Sequence, residues 1–375
     1  MDINKLKRQM NDMAQSTAKA KADPDKLLST GSTLLNLACS GHWQGGWLHG
    51  SYIYLVGDSK SGKTFFGLTC FAEACLNPFY KNHRLIYDAV ERGAKMDFTK
   101  FFGPTMAARW EPPKRLDDGE PDYSFYVEEF YFNIDTLLKG DKPFIYLLDS
   151  MDGLDSLYGE KKFDEAKKAH AKKTKPKGDF GDGKAKVNSR NIRRVAQQVA
   201  DHGSILIIIS QTRDNIDAGM FESKKTRSGG HALRFYADTE IWTSVGSAIK
   251  VDYKVPGKDK KHPVQIGGNI RATVKKNRLN GRERSVTVPI FYDHGFDDVG
   301  GCVDYMTEWG GWKKAGGGYI EATLDEDEWT HKLQREALIQ QIIEDGMESE
   351  LSEAVGETWH AVEAAVSVER KGRYV

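Results

Sequence analysis

The stretch Gly57-Asp58-Ser59-Lys60-Ser61-Gly62-Lys63-Thr64 decides the fold of this chain. It fits the pattern G-x-x-x-x-G-K-[ST], in which a glycine-rich turn wraps its backbone amides around phosphate oxygens. The apolar residues 52–56 precede it as a predicted buried strand, and a predicted helix follows at about residues 62–74. The N-terminus of that helix adds partial positive charge. Strand, turn and helix together predict a phosphate-binding loop rather than a chance glycine-rich turn.

The residues of this loop have expected roles in binding ATP. Lys63 would reach the β- and γ-phosphates, and the Thr64 hydroxyl would ligate Mg²⁺. Asp149 follows the apolar run at residues 144–148 and would hold the same Mg²⁺ through water. An aspartate in that position is also a common helix cap, which is the alternative role. The predicted nucleotide contacts in the loop are Gly57, Asp58, Ser59, Lys60, Ser61, Gly62, Lys63 and Thr64.

The first half of the chain alternates apolar runs with predicted helices. The runs lie at residues 52–56, 84–89, 144–148 and 204–210. Strands this apolar, separated by helices, are typical of a parallel sheet that is covered on both faces. The predicted fold class is therefore α/β, with a mainly parallel sheet around the phosphate-binding loop.

Smaller parts are predicted on either side of a core at residues 27–300. Residues 1–26 predict a charged helix and linker, whose apolar stripe would dock on this chain or on a neighbouring copy and support oligomerisation. Residues 301–375 predict a small C-terminal α/β domain with one long helix at 326–344 and an acidic helical tail. Separate late strands are predicted at 241–245, 249–253 and 270–276.

Composition limits the classes of protein that are possible. The chain has 375 residues, 39% of them hydrophobic, and its 54 basic residues balance 54 acidic ones. It is therefore expected to be globular, and any contact with nucleic acid must rest on local patches of charge. The four cysteines show no metal-binding spacing, and the sequence shows no signal core or membrane span. These features favour the cytoplasm and no membrane partner.

Three further segments resemble the RecA family of recombinases. Leu28-Ser-Thr-Gly-Ser-Thr-Leu-Leu-Asn36 is similar to the segment before that family's first core strand. Ser210-Gln211, a polar loop, and Gly229-Gly-His-Ala-Leu-Arg-Phe-Tyr236 are similar to its DNA-binding loop and the signature that follows. Lys275-Lys-Asn-Arg278 and Phe291-Tyr-Asp-His-Gly295 resemble its late basic strand and the next turn. The resemblance extends over roughly residues 27–320, and it favours a bacterial or phage-encoded relative.

The resemblance implies roles for residues around the nucleotide. Gln211 would sense the γ-phosphate and pass its state to the loop at 212–228. Lys276 and Arg278 would reach across a helical filament to the ATP of the neighbouring copy, the alternative being two cations on a solvated strand. Such a cation from a neighbour neutralises charge that develops on the transferred phosphoryl group. Phe98 is similar to the aromatic residue that stacks on adenine.

The resemblance also implies contacts with single-stranded and double-stranded DNA. Phe221 would wedge between bases, because every base offers a face for stacking. Its alternative is an aromatic residue packed on its own domain. Cationic side chains near it would meet phosphates. The predicted DNA-binding residues are Phe221, Lys224, Lys225, Arg227, Gly229 and Gly230.

The chain departs from the family pattern at two places. The family's general base lies two residues after the aspartate that closes the second strand, whereas here Glu91 lies three residues after Asp88. In an extended strand this shift would turn the side chain to the other face, unless a bulge restores it. We expect Glu91 to orient the attacking water. The second departure is a long segment at 159–190, with ten lysines and five acids, which predicts a mobile insertion that contacts DNA or is merely solvated.

The sequence therefore favours a DNA-dependent ATPase that forms filaments on single-stranded DNA and promotes homologous pairing and strand exchange. One alternative is a non-catalytic protein that binds ATP and DNA, which the displaced Glu91 keeps open. The other is a ring helicase built on the same core, against which the 229–236 segment argues.

Overall fold

The computed structural model describes residues 23–91, 95–171, 183–214, 225–227, 230–325, 328–368 and 370. The predicted N-terminal helix falls almost wholly outside these ranges; Pro24–Lys26 form a short 3-10 helix, as do Pro78–Tyr80 and Gly316–Gly318. The α-helices are α1 (Thr33–Ser40), α2 (Lys63–Leu76), α3 (Phe98–Arg109), α4 (Val127–Leu137), α5 (Leu157–Ala171), α6 (Gly183–Asp201), α7 (His231–Tyr236), α8 (Asp298–Glu308), α9 (Arg335–Glu344) and α10 (Glu348–Ala365).

Within the described residues, the strands form one large sheet and three small ones. Their bounds are β1 (Leu27–Leu28), β2 (Trp47–Leu48), β3 (Tyr52–Gly57), β4 (Arg84–Asp88), β5 (Trp110–Glu111), β6 (Lys114–Arg115), β7 (Pro121–Asp122), β8 (Phe144–Leu148), β9 (Ile205–Asp214), β10 (Lys225–Arg227), β11 (Thr239–Lys254), β12 (Lys261–Asn277), β13 (Arg284–Phe291), β14 (Gly295–Phe296), β15 (Lys313–Ala315), β16 (Tyr319–Leu324) and β17 (Trp329–Gln334).

The large sheet has the order β14-β13-β12-β11-β3-β9-β8-β4-β5, and β10 pairs with the end of β9. Strands β11, β3, β9, β8, β4 and β5 are parallel, whereas β12, β13 and β14 extend the sheet in antiparallel fashion. The prediction of a mainly parallel α/β sheet is confirmed. Because the parallel strands run in one direction, they define a carboxyl edge, at which they end, and an amino edge, at which they begin.

Each face of the sheet buries its own hydrophobic core. Along β3, Ile53 and Leu55 belong to one core, and Tyr54 and Val56 belong to the other. This split follows from the alternation of side chains along a strand. Helix α2 covers the first face, while α4 and α6 cover the second. Burial on both faces fixes the sheet, and therefore fixes where each strand ends.

Two predictions of secondary structure in the second half were wrong in detail. The expected strands at 241–245 and 249–253 are one strand, β11, with irregular pairing between Val245 and Ala248. The expected helix at 326–344 is strand β17 followed by the shorter helix α9. Strand β17 pairs with β16 over six residues, so tertiary pairing overrides the helical tendency there. A second helix, α10, then ends this part.

Helices occupy the described parts of the lysine-rich segment at 159–190, where the sequence predicted a mobile insertion. Helix α5 covers its first part, and α6 begins at Gly183. Helix α6 buries Ile192, Val195 and Val199 against the second core. The apolar stripe that anchors α6 lies mostly beyond residue 190, which is why the composition of 159–190 alone did not predict it. Among the helices that the structure describes, none could span a bilayer.

Candidate nucleotide site and the two edges of the sheet

The phosphate-binding loop lies at the carboxyl edge, between the end of β3 and the start of α2. Gly62 has φ +78°, a conformation that favours glycine, and it immediately precedes the first turn of α2. A Cβ on Gly57 would lie 2.2 Å from Thr243 Oγ1, so the neighbouring strand β11 also requires glycine there. The pattern in the sequence therefore reflects both a turn and a close approach of backbone.

Lys63 is buried and folds back over its own loop. Its Nζ donates to the carbonyl oxygens of Gly57 at 2.9 Å and Asp58 at 2.6 Å. Burial lowers the pKa of Lys63, and the carboxylates of Asp149 and Glu91 partly offset this by favouring the charged form. The ammonium is thus held at the mouth of the loop, where a phosphate would compete for it.

Thr64 and Asp149 approach each other as a pair of magnesium ligands would. The Thr64 hydroxyl donates to Asp149 Oδ2 at 2.7 Å, and the Tyr87 hydroxyl donates to the same oxygen at 3.2 Å. Burial raises the pKa of Asp149, while the bond from Thr64 acts in the opposite direction. A hydroxyl and a carboxylate are hard oxygen donors, the type that Mg²⁺ prefers when phosphates supply its other ligands. The residues present therefore fit a nucleotide-bound magnesium ion.

Glu91 lines the cavity that also contains the phosphate-binding loop, and its carboxylate contacts two polar partners. The Ser150 hydroxyl donates to Glu91 Oε1 at 2.6 Å, and the Gln211 side-chain amide donates to that oxygen at 3.1 Å. The cavity has a volume of about 330 Å³. It is lined by Ser59, Lys60, Ser61, Gly62, Lys63, Thr64, Phe65, Glu91, Met96, Asp149, Ser150, Ile209 and Gln211.

The displaced glutamate is explained by where β4 ends. Asp88 is the last residue of the strand, and it turns to the other side, where it accepts bonds from Ser124 and Tyr146. The backbone then turns, with the Val90 amide bonded to the Asp88 carbonyl and the Glu91 amide to the Asp149 carbonyl. Alternation along a strand no longer applies after Asp88. This turn accommodates the extra residue before Glu91. From the sequence, a β-bulge was the expected way to accommodate it.

Gln211 and Thr212 connect the phosphate-binding loop to the start of the expected DNA loop. The Gln211 backbone amide donates to Asp152 Oδ2 at 2.7 Å, in addition to the side-chain bond with Glu91. The Thr212 hydroxyl makes a very short contact with the carboxylate of Asp58, within the phosphate-binding loop. A movement of Glu91 or of the phosphate-binding loop would therefore be transmitted directly to residues 211 and 212.

Phe98 does not line the cavity of the phosphate-binding loop. It opens helix α3 and packs against Trp110 at 5.4 Å, Phe102 at 6.0 Å and Tyr87 at 6.2 Å between ring centroids. This aromatic cluster borders a separate cavity of about 440 Å³. Packing against Tyr87 on β4 and Trp110 on β5 fixes the position of the Phe98 ring beside this second cavity, and its stacking on adenine stays a prediction.

Lys276 and Arg278 lie toward the amino edge of the sheet, whereas the cavity of the phosphate-binding loop lies at its carboxyl edge. Lys276 Nζ donates to the carbonyls of Arg234 at 2.9 Å and Phe235 at 2.8 Å, at the end of α7. Arg278 donates to the Phe235 carbonyl at 2.9 Å and forms an ion pair with Asp238 at 3.4 Å. Burial, with a contribution from Arg278, lowers the pKa of Lys276 to about 8. The two cations therefore fasten α7 to strand β12.

The register shows why these cations do not reach their own chain's loop. Lys276 pairs with Glu240 on β11, which pairs with Tyr54 on β3. Gly57 lies three residues further along β3, which is about 10 Å of strand. The side chain of Lys276 is also directed the other way, toward α7. If these cations meet a nucleotide, it must belong to another copy of the chain.

The expected DNA-binding residues are only partly described. Phe221, Lys224 and Gly229 lie outside the described residues, whereas Lys225 and Arg227 belong to β10, which pairs with β9. Gly230 precedes α7 with φ +85°. The loop therefore leaves and re-enters the fold as a two-stranded extension of β9 at the carboxyl edge.

Among the described residues, sequence reasoning missed four polar side chains that hydrogen-bond to this site. They are Tyr87, Ser150, Asp152 and Thr212. Each lies within four residues of a predicted site residue, at the carboxyl end of β4, β8 or β9. The available signal was that neighbouring parallel strands end at one edge, which brings their terminal polar residues together.

Comparison with known proteins relates the chain to one family. Residues 167–297 match the RecA N-terminal domain family, a region that contains β9, α7 and β12 but not residues 57–64. Protein RecA of Caulobacter vibrioides is 26% identical over 296 residues, covering 77% of this chain and 70% of that protein. Protein RecA of Chlorobaculum tepidum is 24% identical over 303 residues, covering 80% and 75%. Protein RecA of Streptomyces venezuelae is 24% identical over 301 residues, covering 79% and 68%.

Proposed function

We propose that this chain, which is similar to RecA proteins over most of its length, is a DNA-dependent ATPase that assembles into a filament on single-stranded DNA and promotes strand exchange. The single observation that carries the proposal is the chain of contacts at the carboxyl edge. Glu91, Gln211 and Thr212 connect the phosphate-binding loop to the first residues of the predicted DNA loop. Through these contacts, a change from bound ATP to bound ADP could shift the position of the predicted DNA-binding loop.

In the proposed reaction, the residues of the loop hold ATP and position it for attack by water. The backbone amides of residues 57–64 and the Lys63 ammonium would bind the phosphates, and Thr64 and Asp149 would hold the ion. Mg²⁺, when bound, supplies charge neutralisation on the β- and γ-phosphate oxygens. Glu91, held by Ser150 and Gln211, would orient water toward the γ-phosphorus. The new P–O bond forms as the bond to the bridging oxygen breaks, and a proton of the water passes to Glu91, which releases ADP and phosphate.

The neighbouring copy would complete this site with Lys276 and Arg278. Both lie toward the edge opposite to their own phosphate-binding loop, which suits a head-to-tail assembly in which one copy's amino edge meets the next copy's carboxyl edge. Such a contact is heterologous, so it gives a ring if the rotation between copies closes and an open filament if it does not. ATP at each interface would then control assembly as well as turnover.

The alternative of a non-catalytic protein rested on the displaced Glu91. The carboxylate of Glu91 lies among Ser150, Gln211 and the loop, which supports the catalytic proposal over this alternative. The ring helicase differs in assembly and not in the chemistry of the site. The 229–236 segment, on which the resemblance to recombinases depends, argues against the helicase. Its helix α7 accepts hydrogen bonds from Lys276 and Arg278, so this segment and the two cations form one unit.

The test of the proposed function measures ATP turnover and assembly in one preparation. We expect ATP hydrolysis to rise when single-stranded DNA is added, and negative-stain images with an ATP analogue and single-stranded DNA to show filaments. Absence of turnover with and without DNA would favour the non-catalytic protein. Rings in place of filaments would favour the helicase.

A further inference from the structure

A second cavity lies beside the nucleotide site, next to strands β4 and β5. It has a volume of about 440 Å³, and four aromatic side chains and one carboxylate contribute to its lining. These residues are Tyr87, Phe98, Trp110, Tyr123 and Glu120, and we refer to the space that they line as the aromatic cavity. Among the described residues that line it, Glu120 carries the one charged side chain. The aromatic cavity therefore combines flat apolar surfaces with a single negative charge.

Three of the four rings stand at steep angles to one another. Phe98 and Trp110 have ring centroids 5.4 Å apart and planes at 66°. Tyr87 lies 6.1 Å from Trp110 at 73° and 6.2 Å from Phe98 at 53°. A nucleobase held between two rings needs them to be nearly parallel, because it stacks on a flat face. Rings at steep angles suit a compact ammonium group instead, which is attracted to several ring faces at once.

The rim of the aromatic cavity is acidic. The hairpin of β6 and β7, residues 114–122, carries two basic and four acidic side chains, so its net charge is −2 in a chain that is neutral overall. Glu120 brings one of these carboxylates to the cavity from the turn of the hairpin, where its carbonyl accepts from the Leu116 amide at 2.9 Å. A carboxylate next to aromatic rings favours a cation over a neutral ligand of the same size.

Tyr87 connects the aromatic cavity to the candidate magnesium ligands. Its ring lines the cavity, while its hydroxyl donates to Asp149 Oδ2 at 3.2 Å, the oxygen that also accepts from Thr64. The side chain is only 2% exposed, so its ring and its hydroxyl cannot shift independently of each other. An occupant that displaces the ring would therefore also disturb the hydrogen bond that orients the Asp149 carboxylate.

We propose that the aromatic cavity binds an alkylammonium group and that its occupancy, through Tyr87, weakens the hold of Thr64 and Asp149 on Mg²⁺. The group belongs either to a free amine or to a lysine side chain of another chain, since both present the same ammonium. Binding depends on the cavity alone, whereas the effect on Mg²⁺ rests on the proposed function. The cavity of the phosphate-binding loop has a different lining, which includes neither Phe98 nor Trp110.

The first experiment measures binding to the full chain in the absence of nucleotide. Saturation-transfer NMR follows the methyl signals of tetramethylammonium and of tert-butanol, a neutral molecule of similar size. We expect tetramethylammonium to bind more tightly, because only the cation gains from the rings and the carboxylate. Equal binding of the two molecules would overturn the proposal, since the cavity would then be merely apolar. Displacement of tetramethylammonium by adenosine would also overturn it, since adenine would then occupy the space beside Phe98.

Butylammonium and Nα-acetyl-lysine amide distinguish the two sources of the ammonium group. Butylammonium represents a free amine, and the lysine amide represents a side chain within a protein. Tighter binding of the lysine amide would support a protein ligand that makes further contacts through its backbone, and equal binding would support a free amine. If neither displaces tetramethylammonium, the cavity does not take a primary alkylammonium group and the proposal fails.

Two variants test whether the probe binds in the aromatic cavity. Glu120→Gln should weaken the binding of tetramethylammonium by up to about fivefold, the contribution of an exposed ion pair, and leave tert-butanol unaffected. Trp110→Leu keeps an apolar side chain but removes the ring, so the preference for tetramethylammonium over tert-butanol should fall by roughly twofold to fivefold. Asp117→Asn removes the same charge from the same hairpin outside the lining and is the control. Equal affinity in Glu120→Gln and Asp117→Asn would overturn the proposal.

The effect on Mg²⁺ is measured as the Mg²⁺ concentration that gives half-maximal binding of a fluorescent ATP analogue, at constant ionic strength, with and without tetramethylammonium. In the wild-type chain we expect the probe to raise this concentration by roughly twofold to tenfold, as expected for one lost hydrogen bond. Tyr87→Phe keeps the ring but lacks the hydroxyl, so its Mg²⁺ requirement should not respond to the probe. An unchanged requirement in the wild-type chain, or an equal response in Tyr87→Phe, would overturn the role of Tyr87.

These measurements keep the inference separate from the proposed function, because none of them needs ATP turnover. If turnover on single-stranded DNA is absent while Glu120→Gln alone weakens the binding of tetramethylammonium, the proposed ATPase fails and the ammonium site stands. If turnover is present but the two hairpin variants bind the probe alike, only the ammonium site fails.

Discussion

At the carboxyl edge of the central sheet Lys63 is buried among carboxylates, whereas at the amino edge Lys276 is half-buried against backbone carbonyls and beside Arg278. Burial lowers the pKa of both lysines, but the charges around them differ. Carboxylates around Lys63 favour its charged form, whereas around Lys276 the cations Arg278 and Arg234 oppose the carboxylates Asp238 and Glu240. The phosphates of ATP would bind beside Lys63 at the carboxyl edge of one copy. Lys276 and Arg278 at the amino edge of the neighbouring copy would then neutralise their negative charge. In the proposed function these two edges would be two halves of one site, carried on opposite edges of each copy.

The largest expected effect is at the carboxyl edge. Lys63→Ala removes the cation that folds over the phosphate-binding loop, and ATP hydrolysis should fall by on the order of 10³. The measurement is steady-state turnover with single-stranded DNA. Lys81→Ala, an exposed lysine elsewhere, serves as the control and should leave turnover unchanged. Near-normal turnover in Lys63→Ala would contradict the assignment of the loop.

Mixing two inactive variants tests whether the edges meet between copies. Lys63→Ala keeps an intact amino edge, and Lys276→Ala keeps an intact carboxyl edge. In a random equal mixture, roughly one interface in four would pair the two intact edges, because each side is intact half of the time. Turnover should therefore recover to about a quarter of the wild-type rate. If no mixing ratio gives recovery, the cations act within their own chain or not at all.

Glu91→Gln separates binding from chemistry at the carboxyl edge. The glutamine oxygen can still accept from Ser150 and Gln211, but it loses the charge that orients and deprotonates water. Hydrolysis should fall by on the order of 10², while affinity for an ATP analogue changes little. Glu344→Gln, on the exposed surface of α9, is the matched control. An equal loss of binding and hydrolysis would mean that Glu91 has only a structural role.

The smallest expected effect concerns the pH dependence set by Lys276. A pKa of about 8 means that its ammonium loses its proton as pH rises through that value, so an activity that needs the charge declines on the alkaline side. At one pH unit above, kcat/KM would be lower by up to about tenfold. Lys276→Arg should move the alkaline limb upward, because arginine stays protonated there. The exposed neighbour Lys275→Arg should not move the limb, and an unmoved limb in both variants would separate Lys276 from catalysis.

The sequence by itself determined the parallel α/β core and the place of the predicted phosphate-binding loop between a strand and a helix. Both depend on local patterns: apolar runs of strand length, and glycines at fixed distances from Lys63 and Thr64. Asp149 was likewise predictable, since it follows an apolar strand directly and so must lie at the carboxyl edge. These features need no knowledge of which strands are neighbours.

Only the tertiary structure decided where Glu91, Phe98 and Lys276 lie. Glu91 follows a turn after β4, which alternation along a strand does not describe, and it meets Gln211 from a strand more than a hundred residues later. Packing of α3 on β4 and β5 determines the direction of Phe98. Strand order and register place Lys276 toward the edge opposite to its own loop. Contacts between distant segments depend on how strands pair and helices pack, and a local pattern carries no record of that pairing.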